Sequence, residues 1–199
     1  MFAFFAGMAA GLLHVFSGPD HLAAVAPLVA DSGRTSWRTG LQWGFGHTAG
    51  VLMIAALLLL VREQLPLDAI SAYSERIVGI ALIAVGAWGI WKGAKVRGGE
   101  GARGHSHPSA SFGMGIVHGL AGSSHLFGVI PALAFATRIE SVSYLGGFGT
   151  GAIVGMTAFA AGIGVLSVRL GRSHRTYPGL LFASSAAALV VGGFWLVGR

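Results

Sequence analysis

Six side chains able to bind a metal or move a proton lie in otherwise apolar stretches: His14, Asp20, His21, His47, His118 and His125. An ionisable group inside a lipid-embedded span costs about 2.5 to 3.5 kcal/mol on insertion scales, so several together require a compensating function. Imidazole and carboxylate without thiolate form a ligand set for borderline divalent ions such as nickel, cobalt and zinc, and suit copper(I) or iron–sulfur clusters poorly. The six residues are therefore read as a site for a divalent metal ion, with no organic cofactor. Only neutral imidazole binds metal, so protons compete for such a site as pH falls below about 6.5.

Spacing then sets a condition on the backbone. In an unbroken helix His14 and His21 stand two turns apart, about 10.5 Å of rise, against metal–nitrogen bonds of about 2.1 Å. Between them lies Ser17-Gly18-Pro19. Proline removes an amide donor and moves the preceding residue away from helical dihedrals. The first span is predicted to break near Gly18-Pro19, turning side chains and freed carbonyls toward a cavity near the bilayer midplane.

An internal repeat carries four of the histidines. GLLHVFSGPDHLAAVAPLVA at 11–30 aligns without a gap on GIVHGLAGSSHLFGVIPALA at 115–134, with eight identities in twenty. His14 and His21 match His118 and His125, while Asp20 faces Ser124. Further on, GFGH at 44–47 faces GFGT at 147–150, so that His47 is opposed by Thr150. The second copy has Ser123 where the first has Pro19, and its break is predicted to be milder.

The elements that must position these residues are set by composition. Only 13 basic and 7 acidic residues occur in 199, and 54% of the chain is hydrophobic, whereas about one residue in four is charged in a soluble domain. Low-charge runs at 2–30, 40–61, 72–91, 112–136, 141–168 and 178–197 are each about long enough to cross a bilayer. They are continuously apolar, unlike the alternating strands of a barrel. The expected fold is an all-α integral membrane protein of six transmembrane helices. The third run is the weakest, because Glu75 and Arg76 sit near its start. Three spans per copy is an odd number, so the second copy enters from the opposite side, giving two inverted three-helix repeats. Repeat one is placed at 1–91, a cytoplasmic loop at 92–111 and repeat two at 112–199, all within one transmembrane domain.

Basic residues report the orientation. Arg34, Arg38, Lys92, Lys95, Arg97, Arg103, Arg169, Arg172 and Arg175 fall on one side, against Arg62, Arg76, Arg138 and Arg199 on the other. The positive-inside rule puts loops 31–39, 92–111 and 169–177 in the cytoplasm and both termini outside, in a bacterial-type inner (plasma) membrane crossed several times. A sequence pI near 10.8 is thus topological, and no nucleic-acid partner is expected. The first run begins MFAFFAG without a basic region and continues through Ala30, so it is expected to be retained as a span rather than removed as a signal. Glycine is abundant, 33 residues. The four-residue recurrences at Gly147, Gly151 and Gly155, Gly40 and Gly44, Gly46 and Gly50, Gly7 and Gly11, and Gly115 and Gly119 are read as faces for close helix packing.

Other chemistries are weaker. The absence of cysteine excludes a disulfide scaffold, a thiolate metal site and a CxxC redox carrier. Paired histidines on facing helices would suit a haem-binding electron carrier. Ser17 near His14, or Ser124 beside His125, has the elements of a hydrolase, but no GxSxG elbow is present and no enzyme activity is expected. His105 and His107 lie in a Gly-, Ser- and Arg-containing loop, read either as a transient metal contact or as a solvated connection, and His174 is read as surface. Nothing like a nucleotide-binding P-loop occurs, so energy would come from a gradient or a partner.

HVFSGPDHLAAVAP at 14–27, GFGHTAGV at 44–51, HGLAGSSH at 118–125 and LGGFGTGAIVGM at 145–156 resemble, in order, the motifs of the nickel/cobalt transporter superfamily in its shorter NicO or UreH-like branch. The resemblance spans nearly the whole chain. It implies that His14, Asp20, His21 and His47 are metal ligands or lie on the metal's path. The chain departs from the best-known transporters in having five residues, Val15 to Pro19, between the first histidine and the Asp-His pair, and Gly149 and Ile153 at later acidic positions. Members of this branch are linked to nickel supply for urease or nickel superoxide dismutase, and the superfamily also includes exporters. The expected function is a membrane permease for nickel or cobalt ions. The alternative is an accessory membrane protein delivering metal to a nickel enzyme such as urease. The expected partners are the metal ion, the bilayer, and a soluble metallochaperone or further copies of the chain.

Overall fold

The computed structural model describes residues 1–32, 35–60, 67–97, 108–120, 123–169 and 176–197. Among these the chain is all-helical: α1 Phe2–Ser17, α2 Pro19–Ser32, α3 Ser36–Leu60, α4 Leu67–Arg97, α5 Pro108–Leu120, α6 Ser123–Ala134, α7 Arg138–Arg169 and α8 Thr176–Val197.

The first apolar run is two helices, not one. Gly18 takes an extended conformation, φ −89° and ψ 101°, as expected for a residue before proline, while its N–H still donates to the carbonyl of His14 at 3.1 Å. Pro19 opens α2, where its missing N–H costs no helical bond. The axes of α1 and α2 meet at 72°. In the second half α5 ends at Leu120 and α6 begins at Ser123. The predicted milder break there falls on residues 121–122, outside the described residues.

Among the described residues, two helical stretches, Arg76–Arg97 and Arg138–Leu166, are long and apolar enough to cross a membrane singly, and the bent pair Phe2–Ser17 with Pro19–Ala30 passes when taken as one span. The other expected spans meet this condition less well for visible reasons. α5 and α6 have 13 and 12 residues, each about 18 to 20 Å long at 1.5 Å per residue. α3 carries Arg38, Gln42 and His47 among its apolar residues. Helix also extends into the segment 92–111 expected as loop: α4 continues through Arg97 and α5 starts at Pro108. Part of the reason is that Lys92 and Lys95 lie over the rings of Trp88 and Trp91, four residues earlier, at 5.0 and 4.4 Å, so each ammonium finds a partner on its own helix.

Large apolar side chains face outward all around the bundle, including Phe2, Leu13, Met53, Ile80, Val190 and Phe194, whereas Asp20, His21, His47 and His118 are buried. This distribution suits a bundle in lipid, where polar groups gather inside.

Glycine brings the backbones together. α1 lies along α7, α5 along α3, and α4 along α8, with α3 also against α7. A methyl group on Gly7 or Gly11 would strike the carbonyl oxygen of Tyr144 or Phe148, and one on Gly147 or Gly151 that of Phe4 or Met8. The α3–α5 contact repeats this, with Gly46 and Gly50 against the carbonyls of Phe112 and Ile116, and Gly115 and Gly119 against those of Trp43 and His47. Gly40, Gly44 and Gly155 also sit at helix contacts. The glycine series are therefore packing faces, as their spacing suggests.

Candidate metal centre

The helix break puts His14 in the last turn of α1 and Asp20 and His21 in the first turn of α2. Across the break the rings of His14 and His21 meet edge-on with centroids 4.4 Å apart, far closer than an unbroken helix would bring them. Gly18 makes this possible by lacking a side chain, since a Cβ there would collide with Nδ1 of His21 and crowd Oδ1 of Asp20, 2.8 Å away.

Two further helices bring the remaining groups. α3 presents His47, and its glycine-mediated contact with α5 carries His118 to the same point. The ring centroid of His21 is 5.0 Å from that of His47 and 4.7 Å from that of His118. His14 stacks on His47 at 5.7 Å. The carboxylate of Asp20 lies between two imidazoles, Oδ1 3.0 Å from Nδ1 of His21 and Oδ2 3.2 Å from Nε2 of His118. It also sits in the first turn of α2, where the unpaired N–H groups of a helix start favour negative charge. A buried carboxylate needs such partners.

The donor atoms fall into two sets, each lying within 4.8 Å of one another: His14, His21 and His47, and Asp20, His21 and His118. A divalent ion with bonds of about 2.1 Å separates adjacent ligand atoms by about 3.0 to 3.4 Å. The two Asp20 contacts, which as they stand are hydrogen-bonded ion pairs, have that separation, so the donor set could hold a divalent ion.

Five of the six residues singled out in the sequence thus converge. His125 belongs to α6, but its side chain is outside the described residues, as are His105, His107 and His174. Thr150, the repeat counterpart of His47, is exposed and bonds to the carbonyl of Gly146 on its own helix at 2.8 Å. Ser17 is likewise exposed and donates to the carbonyl of Leu13 at 2.6 Å, with that of His14 at 3.4 Å, which spends its hydroxyl on backbone rather than on the His14 ring.

Two residues of the site were not singled out. Trp43 is completely buried and stacks on His47 with centroids 5.1 Å apart and planes 11° from parallel, reaching also to His118 at 5.2 Å. Phe148 of α7 lies 5.4 Å from His14. The signal for Trp43 was its place four residues before His47, which puts the two on one helix face. Phe148 gave no such signal, because only the α1–α7 contact brings it near.

Fold and site define a class: an all-helical membrane protein with a cluster of four histidines and one aspartate, all buried but the half-buried His14. Known proteins narrow it. The chain is 37% identical over 202 aligned positions to Chloroplast protein FOR GROWTH AND FERTILITY 2 of Arabidopsis thaliana, and 33% identical over 206 to Chloroplast protein FOR GROWTH AND FERTILITY 1 of the same plant. Each match takes in 94% of this chain, and 54% and 56% of the relatives respectively, so the chain spans about half their length. It is also 30% identical over 190 positions to Urease accessory protein UreH of Bacillus sp. (strain TB-90), covering 86% of this chain and 81% of that protein. The chain belongs to the family of UreH. No family model and no solved structure matches it.

Proposed function

We propose that the chain is a multi-pass membrane permease for divalent transition metal ions, nickel or cobalt, in a bacterial-type inner membrane. One observation carries this reading: histidines from both halves of the sequence converge with a single carboxylate in the middle of the helical bundle. Asp20 supplies countercharge, and His14, His21, His47 and His118 replace part of the ion's hydration shell. His125 is included as a ligand through its repeat match to His21.

The six spans are taken as two inverted repeats, 1–91 and 112–199, rocking about this site with the intervening loop in the cytoplasm. The packing supports that. Exchanging α1 with α5 and α7 with α3 turns the α1–α7 contact into the α5–α3 contact, and α3–α7 and α4–α8 remain pairs. Such an exchange is what a two-fold axis relating the two halves produces, and the odd number of spans per repeat would lay that axis in the membrane plane.

The name of the Bacillus relative, a urease accessory protein, favours a second reading, an accessory membrane protein that hands nickel to an enzyme's assembly machinery. The haem alternative fits less well, because imidazole rings 4.4 to 5.9 Å apart, with Trp43 stacked beside them, leave no slot for a macrocycle.

Proteoliposomes decide among these. Nickel flux is expected for the wild type and is expected to vanish in the variant with His14, Asp20 and His21 all replaced by Ala. Equal flux in both would overturn the permease. No flux together with capture of a soluble metallochaperone would favour the accessory reading.

A further inference from the structure

The two donor sets share one residue. His14, His21 and His47 form one, Asp20, His21 and His118 the other. Two dications held a few ångströms apart on the same His21 ring, with one carboxylate nearby to offset four positive charges, would repel strongly. The sets therefore compete for occupancy. They also differ in charge and access. The first is three imidazoles with no carboxylate, one of which, His14, is only half-buried beside the exposed Ser17 and Pro19 of the helix break. The second is buried at every member and holds the carboxylate.

We propose that one divalent cation occupies these two sets in turn, held first by His14, His21 and His47 and then by Asp20, His21 and His118, with His21 as the ligand kept throughout the step. The proposal rests on the permease reading and gives it a path. Three imidazoles replace part of the ion's hydration shell at the half-buried position, and the carboxylate draws it to the enclosed one. Because His118 comes from the second half and His14 and His47 from the first, the step also brings the ion into contact with the second half of the chain. Retaining His21 means that the ion never loses all protein ligands at once. Trp43, which touches His21, His47 and His118, walls the shared region and keeps water out of the exchange.

Cobalt(II) binding to the full chain in detergent tests this, because its visible absorption reports the number and kind of ligands. The wild type is expected to bind one ion per chain. His47→Gln damages only the first set and His118→Gln only the second. Each is expected to bind one ion still, with spectra differing from one another, while flux in proteoliposomes falls at least tenfold in both. His21→Gln is expected to lose tight binding. Size-exclusion profiles and thermal melts identify the variants that fold, and conclusions are drawn from those. If His47→Gln and His118→Gln both lose binding, there is one combined site, and the two-position proposal fails while the metal reading stands. Two ions per wild-type chain would also overturn it. No cobalt or nickel binding by the wild type would overturn the metal reading itself.

Discussion

Nε2 of His118 stands 3.2 Å from Oδ2 of Asp20, joining the end of α5 to the start of α2 across the two halves of the chain. The partner of that carboxylate in the second copy of the repeat is Ser124, so one anion serves the donors of both halves. Buried groups of this kind are strongly coupled, and removing one member leaves the rest without compensation.

Asp20→Asn keeps the shape of the side chain and removes its charge. Affinity for cobalt(II) is expected to drop at least about tenfold, or about 1.4 kcal/mol, as measured by titration of the detergent-solubilised protein. Unchanged affinity would mean that the imidazoles alone hold the ion and that the carboxylate serves only the fold.

At the helix break, Gly18→Ala tests space rather than backbone freedom. Alanine accepts the extended dihedrals of this position, but its methyl group would collide with Nδ1 of His21. Overpacking of this sort costs about 1 to 3 kcal/mol. A lowered melting temperature is expected, accompanied by weakened metal binding; a melt and a titration matching wild type would show that the site has slack.

Adjacent glycines on α7 give a paired experiment. Gly147→Ala is expected to destabilise by about 1 to 3 kcal/mol or more, since its methyl would press on the carbonyl of Phe4. Gly146→Ala meets nothing within 4 Å and is expected to stay within about 0.5 kcal/mol of wild type. Thermal unfolding in detergent compares them, and equal melting temperatures would contradict the described α1–α7 contact.

Trp43 offers an optical readout. With Trp37, Trp88, Trp91 and Trp195 replaced by Phe, the remaining emission is expected to be quenched by cobalt(II) or nickel(II), because the indole lies against three of the site's imidazoles. Quenching should disappear in the His21→Gln variant. Trp43→Ala is expected to cost about 3 to 5 kcal/mol as a buried large-to-small change, whereas Trp43→Phe keeps a ring against His47 and should retain metal binding.

Much of this protein was determined by local features of the chain. The scarcity of charge required apolar helices, Gly18-Pro19 required a break because proline cannot continue the preceding turn, and the glycine spacing marked the faces on which helices meet. The repeat singled out His14, His21, His118 and His125, and Asp20 stood out as an ionisable group in an apolar run. What lay beyond the sequence was the pairing of elements distant along the chain. Only the packing of α3 on α5 brings His47 to His118, only the bend of 72° folds His14 back onto His21, and only the α1–α7 contact sets Phe148 beside His14. The sharing of His21 between two donor sets is likewise a matter of ångströms between four helices. Spacing along one helix determines which side chains share a face, whereas which faces meet depends on how closely the backbones can approach.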